Sequence, residues 1–331
     1  MPAQSGGTPP PSRSRLTRKV VWAVVLAAAV LFVLALVSDG AELLGALRSF
    51  ELVYIVPALL LASLNYLIRF VRWQLYLKAL ELDVPVGASA GVFFSGLSMA
   101  ITPGKLGELV KCIMLRDRVG SSPALTVPAV TAERFTDLIA VLVLVSLGVV
   151  SNASVRPLFY AGVAIVAVIF VVLMLSPEAV NRLGVFLSRA VLKGRNMEWA
   201  AESSAAFRTL LSGWPIVAGL VLGVVAWFAE CLAFWLVLQG FGGGVSLFQA
   251  TFIYAVATLA GALSMLPGGL GATEASMAGL LVAAGMTLSV ASAATLVIRA
   301  CTLWWAVLVG LVFYAAHASA ARRALAELSV E

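Results

Sequence analysis

Apolar residues run in blocks of about 20 along this chain, at 20–37, 52–74, 124–150, 157–175, 215–239 and 288–314, with polar residues gathered between them. A helix rises roughly 1.5 Å per residue, so each block is long enough to cross a hydrocarbon layer of about 30 Å. Two further apolar stretches, 86–115 and 246–286, are interrupted. The first carries Leu97-Ser98-Met99-Ala100-Ile101-Thr102-Pro103-Gly104-Lys105-Leu106-Gly107-Glu108. The second carries Leu263-Ser264-Met265-Leu266-Pro267-Gly268-Gly269-Leu270-Gly271-Ala272-Thr273-Glu274. Proline lacks the N–H and glycine permits positive φ, so Pro-Gly-x-Leu-Gly stops a helix. Broken backbone inside lipid leaves polar groups unsatisfied and persists only where it is buried in protein or lines a wet cavity. Two such breaks in corresponding halves point to the substrate site of a transporter.

The two breaks belong to a repeat. Pro267 lies 164 residues after Pro103, and at that offset the proline, both glycines and the leucine match. Arg299 follows Arg134 by 165, each midway along its span. The unit is span, hairpin, span, over about 51–150 and 215–314, and the extra crossing at 157–175 inverts the second unit by parity. One hairpin then dips from each side of the membrane, so their tips can meet near its middle.

Charge sets the orientation. With both interrupted stretches re-entrant, one face collects Arg13, Arg15, Arg18, Lys19, Lys78, Lys111, Arg116, Arg118, the bases of 176–214, and Arg322 and Arg323. The other face holds Arg48 and Arg156. That asymmetry is the cytoplasmic signature, and a single crossing at 86–115 would strand Lys111, Arg116 and Arg118 outside. The expected fold is an all-α polytopic membrane protein with six full transmembrane helices plus two re-entrant helical hairpins in an inverted repeat. Residues 1–17 read as a disordered cytoplasmic tail, 18–320 as one membrane domain and 321–331 as a second cytoplasmic tail. Arg18 and Lys19 before an apolar run also suit a signal peptide, but the run is long and lacks a clear cleavage site, which favours a retained anchor. Segment 176–214 opens with Ser176-Pro177-Glu178 and repeats Val180, Leu183, Phe186, Leu187, Ala190 and Val191 at helical spacing. It is an amphipathic helix, either lying on the inner membrane surface or packed on the ends of the spans.

Of the 331 residues 62% are hydrophobic and 11% charged, well under the roughly 25% charged of soluble domains. The net charge of +6 is too small to point to nucleic acid. Cys112, Cys231 and Cys301 stand singly without metal-ligand spacing, and the single histidine, His317, falls in the C-terminal tail, so neither a metal nor another cofactor is expected.

What charge remains in the spans is therefore informative, since an ionised side chain at mid-membrane costs roughly 2.5–3.5 kcal/mol even on the mildest scale. Span 124–150 holds Glu133, Arg134 and Asp137; Glu133 and Asp137 share a face, and Arg134 reaches Asp137 at i+3. Asn65, Arg69 and Arg72 share a stripe on span 52–74, where Arg72 either joins them or snorkels to the headgroups. Glu230 and Arg299, alone in their spans, either pair or face one cavity. An inner cluster of Arg69, Arg72, Lys105, Glu108, Glu133, Arg134 and Asp137 is expected, and an outer one of Glu230, Glu274 and Arg299. Helices restarting after Pro103-Gly104 and Pro267-Gly268 add free N–H groups, which suit a phosphate. The substrate-binding set is these residues with Asn65, Gly107, Gly269 and Gly271.

Taken together, Asn65-x-x-x-Arg69-x-x-Arg72-Trp73, Pro103-Gly104-Lys105-Leu106-Gly107-Glu108, Glu133-Arg134-x-x-Asp137, and Pro267-Gly268-Gly269-Leu270-Gly271-x-x-Glu274 with Arg299 resemble the lysylphosphatidylglycerol synthase transmembrane-region family of flippase-like domain proteins. The resemblance covers about 20–314 and implies movement of a lipid, or a lipid-linked headgroup such as a polyprenyl phosphate, between leaflets of the inner membrane. Two-part members append a soluble aminoacyl transferase; this chain ends at Glu331, so lysylphosphatidylglycerol synthesis is not expected of it. Two other readings compete. One is an intramembrane headgroup enzyme with Glu133 or Asp137 as base, disfavoured by the lack of a nucleophile constellation or a phosphate loop. The other is a scaffold for a cell-envelope glycosyltransferase complex. A lipid substrate, such an envelope enzyme and a second copy of the chain are the partners these readings admit.

Overall fold

A computed structural model of the chain describes residues 40–102, 108–149 and 197–328. The expected spans at 20–37 and 157–175, the segment 176–196, and Pro103, Gly104, Lys105 and Gly107 lie outside the described residues. Those described are helical, with no strand among them. The helices are α1 (Gly40–Ser49), α2 (Ile55–Ala79), α3 (Val86–Leu97), α4 (Val110–Val119), α5 (Pro123–Val149), α6 (Met197–Leu210), α7 (Gly213–Gln239), α8 (Leu247–Leu263), α9 (Ala272–Ala283), α10 (Leu288–Arg299) and α11 (Trp305–Leu328).

Among the described residues three stretches are long and apolar enough to cross a membrane: Leu52–Ala79, Gly213–Gln239 and Leu288–Ala316. The third contains α10 and the start of α11, joined by a π turn over Ala300–Trp304 that begins directly after Arg299. Helix α5, at 27 residues, has the length but carries Glu133, Arg134 and Asp137 in its middle. The helices flanking the breaks are shorter, with 12 and 10 residues in α3 and α4 and 17 and 12 in α8 and α9. At 1.5 Å per residue these are roughly 15 to 26 Å long, each short of the bilayer core. Within each pair the two helices pack against one another.

Local chemistry sets the helix ends. Ser246 and Gln249 form a reciprocal cap on α8, with the Ser246 hydroxyl accepting from the Gln249 N–H and the Gln249 amide oxygen from the Ser246 N–H. Ser98 and Ser264 close α3 and α8 in the same way, each hydroxyl donating to the carbonyl three residues back at 2.7 Å. In the second break Gly268, Gly269 and Gly271 take φ of 62, 66 and 87°, where a side chain is strained.

The halves interlock. Helices α2 and α7, the first of each unit, form an extensive pair at the centre. Helix α8 of the second unit packs on α5 of the first, and α3 of the first packs on α11 of the second. Gly310 of α11 lies so close to the Leu97–Ser98 backbone that no side chain fits between them. The hairpin tips also approach: Ile101 packs with Leu303 and Val307, and a Cβ at Gly268 would stand 3.5 Å from the Ile101 Cα. In the described part of 176–214, α6 is packed on α5, with Ser203, Phe207 and Leu210 buried; the amphipathic pattern read from Val180 to Val191 lies outside the described residues. Helix α1 buries Leu43 and Ala46 against Ala293 of α10.

Candidate functional site

Helix α2 sends three polar side chains inward at spacings of four and three, and all three are buried. Asn65 Nδ2 donates to the Ala226 carbonyl of α7 at 2.8 Å, tying the central pair together. Arg72 is fully buried, which removes the snorkelling alternative. Its guanidinium reaches Asp137 Oδ1 at 2.8 Å and donates to Thr136 Oγ1 at 3.2 Å, both on α5. One turn earlier, Arg69 approaches Glu108 at 3.6 Å, while its Nε has no hydrogen-bond partner.

From α5, Arg134 bridges two carboxylates, Asp137 Oδ2 at 2.9 Å, as i+3 spacing predicts, and Glu108 Oε2 at 3.2 Å. The chain of charges continues through a residue the sequence placed elsewhere. Lys111 was counted among the loop bases that orient the protein, yet it is 2% exposed. Its Nζ lies 2.8 Å from Glu133 Oε2 and 3.6 Å from Glu108, over the rings of Trp73 and Phe93 at 4.8 and 5.0 Å. Lys111 thus joins the inner cluster. The signal that could have found it is its i+3 spacing from Glu108. Glu108, Lys111, Glu133, Arg134, Asp137, Arg69 and Arg72 form one continuous network with a single excess positive charge.

The outer group is smaller. Arg299 Nε reaches Glu274 Oε1 at 2.6 Å, and its terminal nitrogen donates to the Gly268 carbonyl at 2.7 Å. Glu274 also accepts from the Gly271 N–H at 2.6 Å, capping α9. Arg299 and Glu274 therefore hold the second break in shape. Glu230 accepts from the Tyr254 hydroxyl at 2.7 Å. Glu230 and Arg299 both line one cavity.

The two groups have one ion pair in common. Glu108 with Arg134 and Glu274 with Arg299 are the same ion pair, one in each repeat, at 3.2 and 2.6 Å. The carboxylates match at an offset of 166, as do Leu97-Ser98-Met99 and Leu263-Ser264-Met265, whereas the Pro-Gly-x-Leu-Gly motifs match at 164. Helix ends and carboxylates thus keep one register, the arginines follow at 165, and the break motif sits two residues earlier within the second stretch.

Between the groups lies a cavity of about 380 Å³, within the usual range for small-ligand sites. Arg69, Arg134, Asp137, Glu230, Gly268, Gly269 and Arg299 form part of its wall. Asn65, Arg72, Glu108, Glu133, Pro267, Gly271 and Glu274 are not part of that wall, though Arg72 contacts Asp137, Glu108 contacts Arg69 and Arg134, and Glu274 contacts Arg299. Sequence reasoning missed the rest of the lining: Tyr66, Trp227, Tyr254, Thr258 and Thr302 among polar and aromatic groups, and Leu138, Leu263, Met265 and Leu266, which are exposed at its mouth. No group of three or more potential metal ligands occurs among the described residues.

Relatives agree in length and character. A UPF0104 membrane protein of Methanothermobacter thermautotrophicus is 27% identical over 309 residues, covering 86% of this chain and 90% of that one. A UPF0104 membrane protein of Pyrococcus horikoshii is 24% identical over 284 residues, covering 78% and 85%. The description of the lysylphosphatidylglycerol synthase TM region matches residues 20–310, through both breaks and both arginine–glutamate pairs. With that match across most of its length, this multi-pass membrane protein belongs to the lysylphosphatidylglycerol synthase transmembrane-region family.

Proposed function

We propose that the protein moves a lipid headgroup between membrane leaflets through the cavity shared by its two repeats. The observation that carries this reading is the duplicated pair Glu108–Arg134 and Glu274–Arg299, each joining a glutamate that follows a break to an arginine of a long helix, with both arginines lining one cavity. An enzyme needs one asymmetric reacting centre, whereas a carrier that serves two leaflets needs two equivalent half-sites, which an inverted repeat supplies. The reading takes six full crossings and two re-entrant hairpins in an inner membrane, with both termini cytoplasmic and no chemical step. Arginines beside an apolar mouth let an anionic head enter while its chains stay in lipid.

Purified protein in liposomes with a fluorescent phosphatidylglycerol tests this, using dithionite to quench the outer leaflet. Wild type is expected to expose inner-leaflet probe faster than empty vesicles. Arg134→Gln, inserted normally, is expected to slow that exchange by about tenfold or more, because a charged hydrogen bond is worth roughly 1.5–3 kcal/mol. Exchange at the wild-type rate in that variant, or none above empty vesicles in wild type, refutes the proposal.

A further inference from the structure

A second cavity, of about 530 Å³, opens at the C-terminal end of α2 and shares no lining residue with the central one. Whereas Arg69 and Arg72 of α2 turn to the inner network, Phe70, Gln74 and Lys78 follow at four-residue spacing on another face and line this cavity. The turn that ends α2 completes its wall. The Leu82 N–H donates to the Leu77 carbonyl at 3.0 Å and the Glu81 N–H to the Lys78 carbonyl at 3.1 Å, which sets Glu81 in the left-handed region at φ 56°. Glycine is the usual residue there, because an L side chain is strained. The other repeat follows that rule. The turn that ends α7 closes with the same two bonds, from the Gly243 N–H to the Leu238 carbonyl and from the Gly242 N–H to the Gln239 carbonyl, and Gly242, at φ 94°, holds the position of Glu81. The turn therefore does not call for a glutamate, and the Glu81 side chain lines the cavity.

Polarity is graded along this cavity. Phe70 lies nearest the middle of the span, and Val84 and Val86 add apolar wall. Gln74 follows one turn later, with its Nε2 buried and without a hydrogen-bond partner. Lys78 comes next, then Glu81 and Asp83 beyond the helix end; all three are exposed, and none makes a side-chain hydrogen bond or ion pair with a described residue. Gln74 and Lys78 stand roughly 6 Å apart along the axis, about the depth of one headgroup layer. The order is apolar wall, amide donor, ammonium, carboxylates. A phospholipid with a primary amine presents the complementary order of acyl chain, ester carbonyl, phosphate and ammonium. We propose that this cavity binds such an aminophospholipid, with Gln74 donating to an ester carbonyl, Lys78 pairing with the phosphate, and Glu81 and Asp83 accepting from the ammonium. The apolar wall makes the ligand a lipid and not a soluble amine.

The test illuminates the detergent-purified full chain with a phosphatidylethanolamine that carries a diazirine in one acyl chain, and maps the labelled peptides by mass spectrometry. Label is expected within 70–86. Unlabelled phosphatidylethanolamine is expected to displace it at about one-tenth the concentration of phosphatidylcholine, which has no N–H, or of phosphatidylglycerol, which has no ammonium; tenfold is the worth of one charged hydrogen bond. Glu81→Gly is expected to cut labelling at 70–86 about tenfold with a melting temperature no lower than wild type, because glycine relieves the turn. Glu81→Gln, which keeps the backbone strain and loses the charge, is expected to cut it too, as is Lys78→Gln. Equal displacement by the three lipids marks unselective boundary lipid and overturns the proposal. Wild-type labelling in both Glu81 variants also overturns it, and so does a lower melting temperature in Glu81→Gly, which makes the glutamate a structural residue. Displacement by soluble spermidine as readily as by phosphatidylethanolamine overturns the lipid assignment. Labelling at 70–86 that is lost in Arg134→Gln assigns the probe to the central cavity and overturns the second site, leaving the carrier reading standing.

Discussion

Replacing Lys111 by Met tests whether the inner network is held by paired charge. The ammonium sits 2.8 Å from Glu133 Oε2, a gross attraction of about 6 kcal/mol at an effective dielectric of 20. Desolvation of two buried ions offsets most of that, so the pair itself adds little net stability. Removing one partner is different. Glu133 is fully buried, and stranding its carboxylate costs about 3–5 kcal/mol. Loss of the ammonium over Trp73 and Phe93 adds roughly 0.5–2 kcal/mol. Lys111→Met is therefore expected to be severely destabilising. Adding Glu133→Gln, which removes the stranded charge, recovers about 2–3 kcal/mol of it, the upper part of the range for contacting residues. The assay is unfolding by sodium dodecyl sulfate in mixed micelles, followed by fluorescence of the tryptophans, of which Trp73 lies beside the lysine. A single variant within about 1 kcal/mol of wild type, or a double variant as unstable as the two singles summed, refutes a buried pair at this position.

Gly96→Ala places a methyl 2.7 Å from Lys111 Cγ, near the root of a side chain pinned at its far end, and about 1–3 kcal/mol of destabilisation is expected in the same assay. Gly310→Ala meets the Leu97–Ser98 backbone, which cannot give way as a side chain can; the first hairpin is expected to shift, read as increased protease cleavage between α3 and α4, and unchanged cleavage counts against the close approach. The packing of Ile101 with Leu303 predicts that Ile101→Cys and Leu303→Cys, in a chain whose three native cysteines are replaced, cross-link on oxidation, whereas Ile101→Cys with exposed Leu60→Cys does not. Arg299→Gln removes the contacts to Glu274 and the Gly268 carbonyl, so it is expected to lower thermal stability as well as transport, whereas Arg134→Gln, whose carboxylates keep Lys111, Arg69 and Arg72, is expected to fall mainly on transport.

Much of the site was legible before any coordinates. Three charges within five positions of α5 had to face protein, and they do, because lipid offers no counter-charge or hydrogen bond. Asn65, Arg69 and Arg72 had to share a stripe, because helical spacing leaves no other arrangement. Lys111 was misplaced because a base beside Arg116 and Arg118 reads as a loop charge until the helix carrying it is seen to turn inward; of the three, Arg116 and Arg118 remain exposed.

Sequence alone determined where helices must break, which spans must carry an interior polar face, and that the two halves repeat, since each follows from backbone chemistry or residue periodicity along a single segment. Which carboxylate each arginine takes, the burial of Lys111, the crossed packing of α3 on α11 and α8 on α5, and the aromatic and hydroxyl residues lining the cavity were decided only by tertiary structure. These depend on distances between segments up to some 200 residues apart, and a polar side chain with several chemically equivalent partners selects among them by geometry.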